Sequence, residues 1–341
     1  MNHKFLIRNA GPKDFSQVMK LAKSLDSYNL PNDRTYIREL LSLSEKSFAG
    51  RVEDPVRARY LFVAENIGTQ KLAGAALIVA QHGKQTMPHL YLDREEIQAS
   101  SSTLGIDRAR ERWRLRWTLN GPTELGGLVV LPAYRGKGRR VGCLVSLARF
   151  AYMAGHRNRF RSRVLVEFMG HWENGRNSFW EQVAQPFLGM SYEKADRLSA
   201  INREFIMGLF PKEPIYTELL SEAARSEIGK MSEGAELASR ILKRAGFEFL
   251  NQVCPFDAGP HYGVQTADIS YIQNTQSLRL LGTGSVAKSA EAIVMSEPKR
   301  GEVRAVFSRV RRPKGGGCIL PKPIADILEI SEGGEVAVCL V

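Results

Sequence analysis

The segment Tyr134-Arg135-Gly136-Lys137-Gly138-Arg139-Arg140 has the composition of an anion cradle. Glycines let the main chain approach phosphate oxygens with no Cβ in the way. Where such a loop opens a helix, the unpaired N–H groups of the first turn point at the anion and the macrodipole favours it. Arg135, Lys137, Arg139 and Arg140 bring cationic side chains to the same place. A basic turn alone would be an ordinary surface feature. Here an apolar run at 126–131 precedes it and a helical apolar pattern at 141–154 follows, with Leu144, Leu147, Ala148 and Ala151 on one face.

Glu167 is the second chemically notable residue, a lone carboxylate in Leu165-Val166-Glu167-Phe168-Met169. Burial would raise its pKa toward a value useful for a general base. The alternative is a carboxylate that pairs with an arginine or with a cationic substrate. His171, just past the same run, and His261, in Gly259-Pro260-His261-Tyr262, are proton shuttles or else surface and capping residues. Tyr134 and Tyr192 are candidate acids toward a departing thiolate. Cys143, Cys254, Cys318 and Cys339 lie far apart and form no C-x-x-C pair, so neither a metal site nor a disulfide framework is expected.

These residues need a scaffold. Residues 5–8 read as a strand, Gly11-Pro12-Lys13-Asp14 as a turn, and Asp14 as the cap of an amphipathic helix. A second helix is expected over 34–44, then two strands at 59–65 and 71–80. Residues 82–116 read as an irregular polar insertion, in which Met87-Pro88-His89-Leu90-Tyr91 is loop packing and Trp113 and Trp117 share a helix face. Strands at 126–131 and 162–169, a helix at 177–187 and a short strand at 191–196 follow. Beyond 252 the pattern changes to short strands and glycine turns. The reading is a mixed α/β unit over 1–251, with a helical insertion at about 200–245, and a smaller β-rich unit over 252–341.

The net charge of +12 attracts anions, and either nucleic acid or an anionic cofactor such as coenzyme A would answer it. The longest apolar run, 72–80, is about half of what a membrane-crossing helix needs. The first residues lack the apolar core and cleavage site of a signal peptide, and a cytoplasmic location is expected.

Through Val129-Val130-Leu131-Pro132-Ala133-Tyr134-Arg135-Gly136-Lys137-Gly138 the chain resembles the GNAT superfamily of acyl-CoA N-acyltransferases. That resemblance implies a mixed sheet splayed between two central strands and flanked by helices. The pantetheine would pair with the strand before the loop, and the pyrophosphate would sit on the loop. Arg140 stands where the superfamily usually has Gly or Ala. The chain is also similar to the arginine N-succinyltransferase family, through several runs in order. They are Leu165-Val166-Glu167-Phe168-Met169-Gly170, Ser178-Phe179-Trp180, 187–196, Phe210-Pro211-Lys212-Glu213-Pro214-Ile215-Tyr216 and Phe256-Asp257-Ala258-Gly259-Pro260.

This second resemblance implies transfer of succinyl from succinyl-CoA, as co-substrate and with no resident cofactor, to the α-amino group of arginine or a related basic amino acid. The family's succinyl-CoA contact falls on Leu128, and oxyanion-binding N–H groups would come from Leu128, Val129 and Val130. The family's proton-donor histidine falls on Ser232, whose hydroxyl cannot exchange a proton near neutrality as imidazole does. A glycine-rich stretch of the family is replaced by Ser24-Leu25-Asp26-Ser27-Tyr28-Asn29 before Leu30-Pro31. A changed acceptor or acyl group would fit these departures. A rival class is an acyl-CoA sensor or nucleic-acid-binding protein built on the same shell. Its support is the strand–helix–strand pattern of 318–341, similar to AbrB-type DNA-binding folds, behind a basic stretch from Lys299 to Lys314. The succinyltransferase resemblance covers this region too, which favours a structural barrel or a homo- or hetero-oligomer contact over a nucleic-acid partner.

Overall fold

A computed structural model of the chain describes residues 4–25, 29–136, 138, 140–287 and 289–341. The strands of the first part are β1 Phe5–Asn9, β2 Arg59–Asn66, β3 Leu72–Val79, β4 His89–Ser101, β5 Ile106–Thr118, β6 Thr123–Val130 and β7 Arg163–Glu167. Those of the second are β8 Ile215–Tyr216, β9 Glu248–Val253, β10 Pro260–Gln265, β11 Thr275–Thr283, β12 Ala290–Ser296, β13 Arg304–Val310, β14 Cys318–Leu320 and β15 Glu335–Leu340. They form one mixed sheet in the order β14-β11-β15-β12-β13-β1-β2-β3-β6-β7-β10-β9-β4-β5-β8. The expected α+β class with a mixed central sheet is therefore the one observed.

Three helices matter for the site: α1 Phe15–Leu25, α2 Arg34–Phe48 and α3 Val141–Gly155. Asp33 caps α2 by accepting from the Tyr36 N–H. Asp14 does not cap α1 in the expected manner; its carboxylate accepts from the Gly11 N–H and pairs with Arg8. Strand β3 is buried along its whole length, which explains its continuous apolar run. Its one face packs under α3 with Phe62, Val164 and Val166, and its other under α1 and α2 with Leu61, Val63 and Val129. Burying both faces of the central strands fixes the backbone of β6, on which the candidate site depends.

Two elements differ from the reading above. Residues 89–118 are not irregular: β4 and β5 pair over thirteen residues each as a long antiparallel hairpin. Only its base is apolar on one face, so the outer half lacks the period-2 hydrophobic alternation that identifies a strand. Trp113 and Trp117 accordingly share a strand face, with Trp113 buried and Trp117 exposed. Residues 191–196 are not a strand either. Ser191 accepts from the Lys194 N–H and starts the helix Tyr192–Ser199. Beyond residue 252 the chain returns to the sheet: β10 lies between β7 and β9, and β11 to β15 join it through the β13–β1 pair. No helix among the described residues is long and apolar enough to cross a membrane.

Candidate functional site

Strands β6 and β7 are parallel and pair at Thr123–Val164 and Glu124–Leu165 alone. Past Glu124 they part, so the edge of β6 that faces β7 has no strand partner from Leu125 to Val130. On its other edge β6 pairs with β3 through a bulge, since Gly126 opposes Leu77 and Val129 opposes Ala75. Gly127, at φ +58°, makes that bulge, and a Cβ there would press on the Leu77 side chain at 3.1 Å. Arg149 of α3 reaches in behind it and donates to the carbonyls of Leu77, at 3.3 Å, and Gly126. Its guanidinium is fully buried and forms no ion pair among the described residues; burial lowers its pKa to about 9. A cation held by carbonyls and the Ser146 hydroxyl fixes those carbonyls, and with them the bulge.

After Val130 the chain turns through Pro132–Tyr134 into the glycine loop and then into α3. Gly136 and Gly138 take φ values of +107° and +87°, and no atom lies within 4 Å of a Cβ built on either. Their open side faces no protein. Arg135 donates its Nε–H to the Val130 carbonyl at 2.7 Å. Arg140, left-handed at φ +50°, starts α3, binds the Glu291 carboxylate at 2.7 and 2.8 Å and lies over the Phe307 ring. Lys137 and Arg139 lie outside the described residues. Leu128 and Val130 are half-buried beside α3, and Val129 is buried toward α1 and α2. Tyr134 sets its ring against Phe5, while Tyr192 donates to Asp257 at 3.3 Å; burial, with Asp257 beside it, pushes its hydroxyl pKa far up.

Glu167 ends β7 on the sheet face opposite α3. His171 and Ser232 stand just beyond it: the His171 N–H donates to the Lys230 carbonyl, and the Ser232 N–H to that of Met169 at 2.9 Å. These three expected residues thus gather at one end of β7. His261 is the cross-strand partner of Glu167 on β10. Sequence reasoning missed two further members. His89, expected to be loop packing, begins β4 with its Nε2 3.4 Å from Glu167 Oε1. His82 places Nδ1 3.5 Å from the same oxygen and 3.2 Å from Glu124 Oε2. The rings of His82, His89 and His261 stack in sequence, at 4.9 and 5.7 Å. Asn29, the end of the altered stretch, donates to Glu124 at 2.8 Å and covers Gly126. Asp26, Ser27 and Tyr28 lie outside the described residues.

Burial acts to raise the Glu167 pKa, but His261, His89 and His82 outweigh it and hold the carboxyl well below its ordinary range. The pKa expected to be raised is lowered, because imidazoles rather than apolar groups surround it. Burial drives His82 well below its usual value and lowers His261 to about 4. The donor atoms of His82, His89 and Glu167 lie within 4.8 Å of one another, close enough for a metal. A contact on His82 decides against that use. Arg203 Nη1 sits 3.2 Å from its Nε2, and a guanidinium only donates, so Nε2 accepts and Nδ1 carries the proton. Nδ1 therefore offers a cation no lone pair.

The depressed histidines set a pH dependence. Below pH 6.5 an unfolded His261 takes a proton that the folded one refuses until about pH 4, so its stability is full above 6.5 and is lost through that window. His261→Phe, which keeps the ring stack, is expected to flatten the fall of the unfolding midpoint between pH 6.5 and 4 by roughly 3 kcal/mol in free-energy terms. Identical acid profiles for the two proteins would contradict this.

Comparison with known proteins places this arrangement. Residues 5–271 match the family model described as arginine N-succinyltransferase beta subunit. The chain is 32% identical to arginine N-succinyltransferase subunit beta of Pseudomonas aeruginosa, across 97% of this chain and 96% of that one. It is 30% identical to subunit alpha of the same organism, across 97% and 98%. The solved structure of arginine/ornithine succinyltransferase subunit AI from Pseudomonas aeruginosa superposes with a TM-score of 0.86 at 28% identity, covering 99% of both chains.

Proposed function

The chain belongs to the arginine N-succinyltransferase family, and on that premise we propose that it transfers succinyl from succinyl-CoA to the α-amino group of arginine or a related basic amino acid. The observation that carries the reading is the parting of β6 from β7, with the glycine loop at one end and Glu167 at the other. An acyl-CoA whose pantetheine lay along the unpartnered edge of β6 would bring its pyrophosphate to Arg135, Gly136, Lys137, Gly138, Arg139 and the start of α3 at Arg140. Its thioester carbonyl would then meet N–H groups of Leu128 to Val130, held in place by the bulge.

The amine approaches from the opposite sheet face, where Glu124 and Glu167 present carboxylates suited to a cationic substrate. Glu167 takes the ammonium proton, and the free amine attacks the thioester within the ternary complex; holding both reactants there supplies much of the rate. Ser232 hydrogen-bonds the acceptor, and His171 lies within the same strand-end cluster. Asn29 touches both Glu124 and the β6 bulge, so the altered stretch before Leu30 bears on acceptor choice.

The basic residues of the C-terminal unit do not favour the nucleic-acid alternative. Arg300 donates to Ala49, Arg304 to Ile327 and Glu329, Arg309 to Ala287 and Arg312 to Gln276. Four free cysteines suit a cytoplasmic location, and the subunit names of two relatives suit assembly with a second subunit. The test is CoA release across a matrix of acyl-CoAs and amines. Release with succinyl-CoA and arginine or ornithine, well above release with acetyl-CoA or neutral amino acids, is expected. Tight acyl-CoA binding with no amine-dependent release would instead make the chain a sensor.

A further inference from the structure

We propose that His89 is the terminal proton acceptor of the site, receiving through Glu167 the proton that the substrate ammonium must lose. This deepens the acyltransferase reading above and rests on it. The need arises from the chain itself. Ser232 has no basic nitrogen, and a carboxylate held as acidic as Glu167 accepts a proton only in passing. A stronger base must stand behind it, and three imidazoles do.

Two of the three are unsuited. His82 has its Nε2 occupied by Arg203, so its Nδ1, 3.2 Å from Glu124 and 3.5 Å from Glu167, carries a proton and has no lone pair with which to take one from them. His261 stacks behind His89, and burial keeps it neutral down to about pH 4. His89 differs from His82 in having no donor on either nitrogen among the described residues, and it is the imidazole whose Nε2 faces Glu167. Its side chain is buried and, as for His261, neither ring nitrogen has a hydrogen-bond partner among the described residues. With the proton on Nδ1, the Nε2 lone pair faces Glu167 Oε1 at 3.4 Å. The groups around His89 are Glu167 from β7, His82 from the segment after β3, His261 from β10 and Tyr91 on its own strand.

The step balances without any co-reactant. An ammonium N–H bond breaks as an O–H bond forms on Glu167; that O–H then breaks as an N–H bond forms on His89 Nε2. The amine lone pair is left free for the thioester carbon. Ammonium and carboxylate become imidazolium and carboxylate, so the buried charge count does not change. When the C–S bond breaks, the second amine proton leaves with the thiolate as CoA thiol.

The experiment measures kcat and KM for CoA release from succinyl-CoA and arginine between pH 6 and 10, in the full chain and in His89→Gln. The expected result is a fall in kcat of about 10²–10⁴ near pH 7.5, with KM for succinyl-CoA unchanged. Activity should recover steeply above pH 9, where solution supplies the neutral amine. His89→Phe, which keeps the ring stack, carries the same test if the Gln variant does not fold. An unchanged kcat and pH profile would overturn the assignment, and so would a loss that high pH does not relieve in a folded variant that still binds succinyl-CoA. Absence of amine-dependent release in the unmodified chain is a different failure: it removes the acyltransferase reading, and this assignment with it.

Discussion

Gly138→Glu is expected to weaken succinyl-CoA binding at least about a hundredfold while leaving the chain folded, a loss of about 3 kcal/mol or more. Gly138 lies at φ +87° with open space where a Cβ would stand, so the first carbon of the new side chain meets no described atom within 4 Å. The backbone cost of that conformation for an L-residue is about 1–2 kcal/mol, which an ordered domain of this size absorbs. The side chain would instead occupy the space in front of the first turn of α3, filling the proposed pyrophosphate position with a like charge. Titration calorimetry with succinyl-CoA, beside a thermal unfolding scan, separates the two effects. Unchanged affinity would mean that the pyrophosphate binds elsewhere; a collapsed midpoint would mean that the loop is needed for folding.

Glu167→Gln is expected to lower kcat by about 10²–10⁴ with little change in succinyl-CoA affinity. The amide is nearly isosteric but cannot receive a proton from the amine. It also leaves His82, whose Nδ1–H is aimed at carboxylates, facing a neutral group. If Glu167 and His89 act as one unit, the double variant Glu167→Gln/His89→Gln should be scarcely slower than either single one. Multiplying losses would show that the two residues act separately. Retained activity in the Gln variant would mean that the ammonium loses its proton by a route that bypasses Glu167.

The two halves of the site differ in how plainly the sequence announces them. The coenzyme side is local: strand, glycine loop and helix are consecutive, and every residue that matters lies within 123–155. Charge and glycine spacing suffice to find it. The acceptor side is assembled from β6, β7, β10, the start of β4, the turn after β3 and the segment before α2, which only the sheet brings together. Glu167 stood out as a carboxylate in an apolar strand, but its neighbours did not. His82 and His89 are seven residues apart in a stretch whose polar outer half masked the hairpin. Period-2 alternation of Leu90 with Leu92, and of Trp113 with Leu115, was the available signal, and it is short. The same limit explains Glu167's pKa: its direction depends on imidazoles that the chain supplies from three separate places.

The brief contact between β6 and β7 has a mechanical meaning. Fifteen strands form one sheet, yet the nine on one side of that seam and the six on the other are joined, strand to strand, by two residue pairs. A sheet resists bending where each strand is laced to both neighbours; here the lacing is left undone over most of a strand's length. Two stiff plates therefore meet along a short hinge, with α3 lying across β6 and its neighbours as a brace. A coenzyme arm laid in the gap would complete the lacing from within, so the substrate itself would become the member that ties the plates together, and the departing product would return the hinge its freedom.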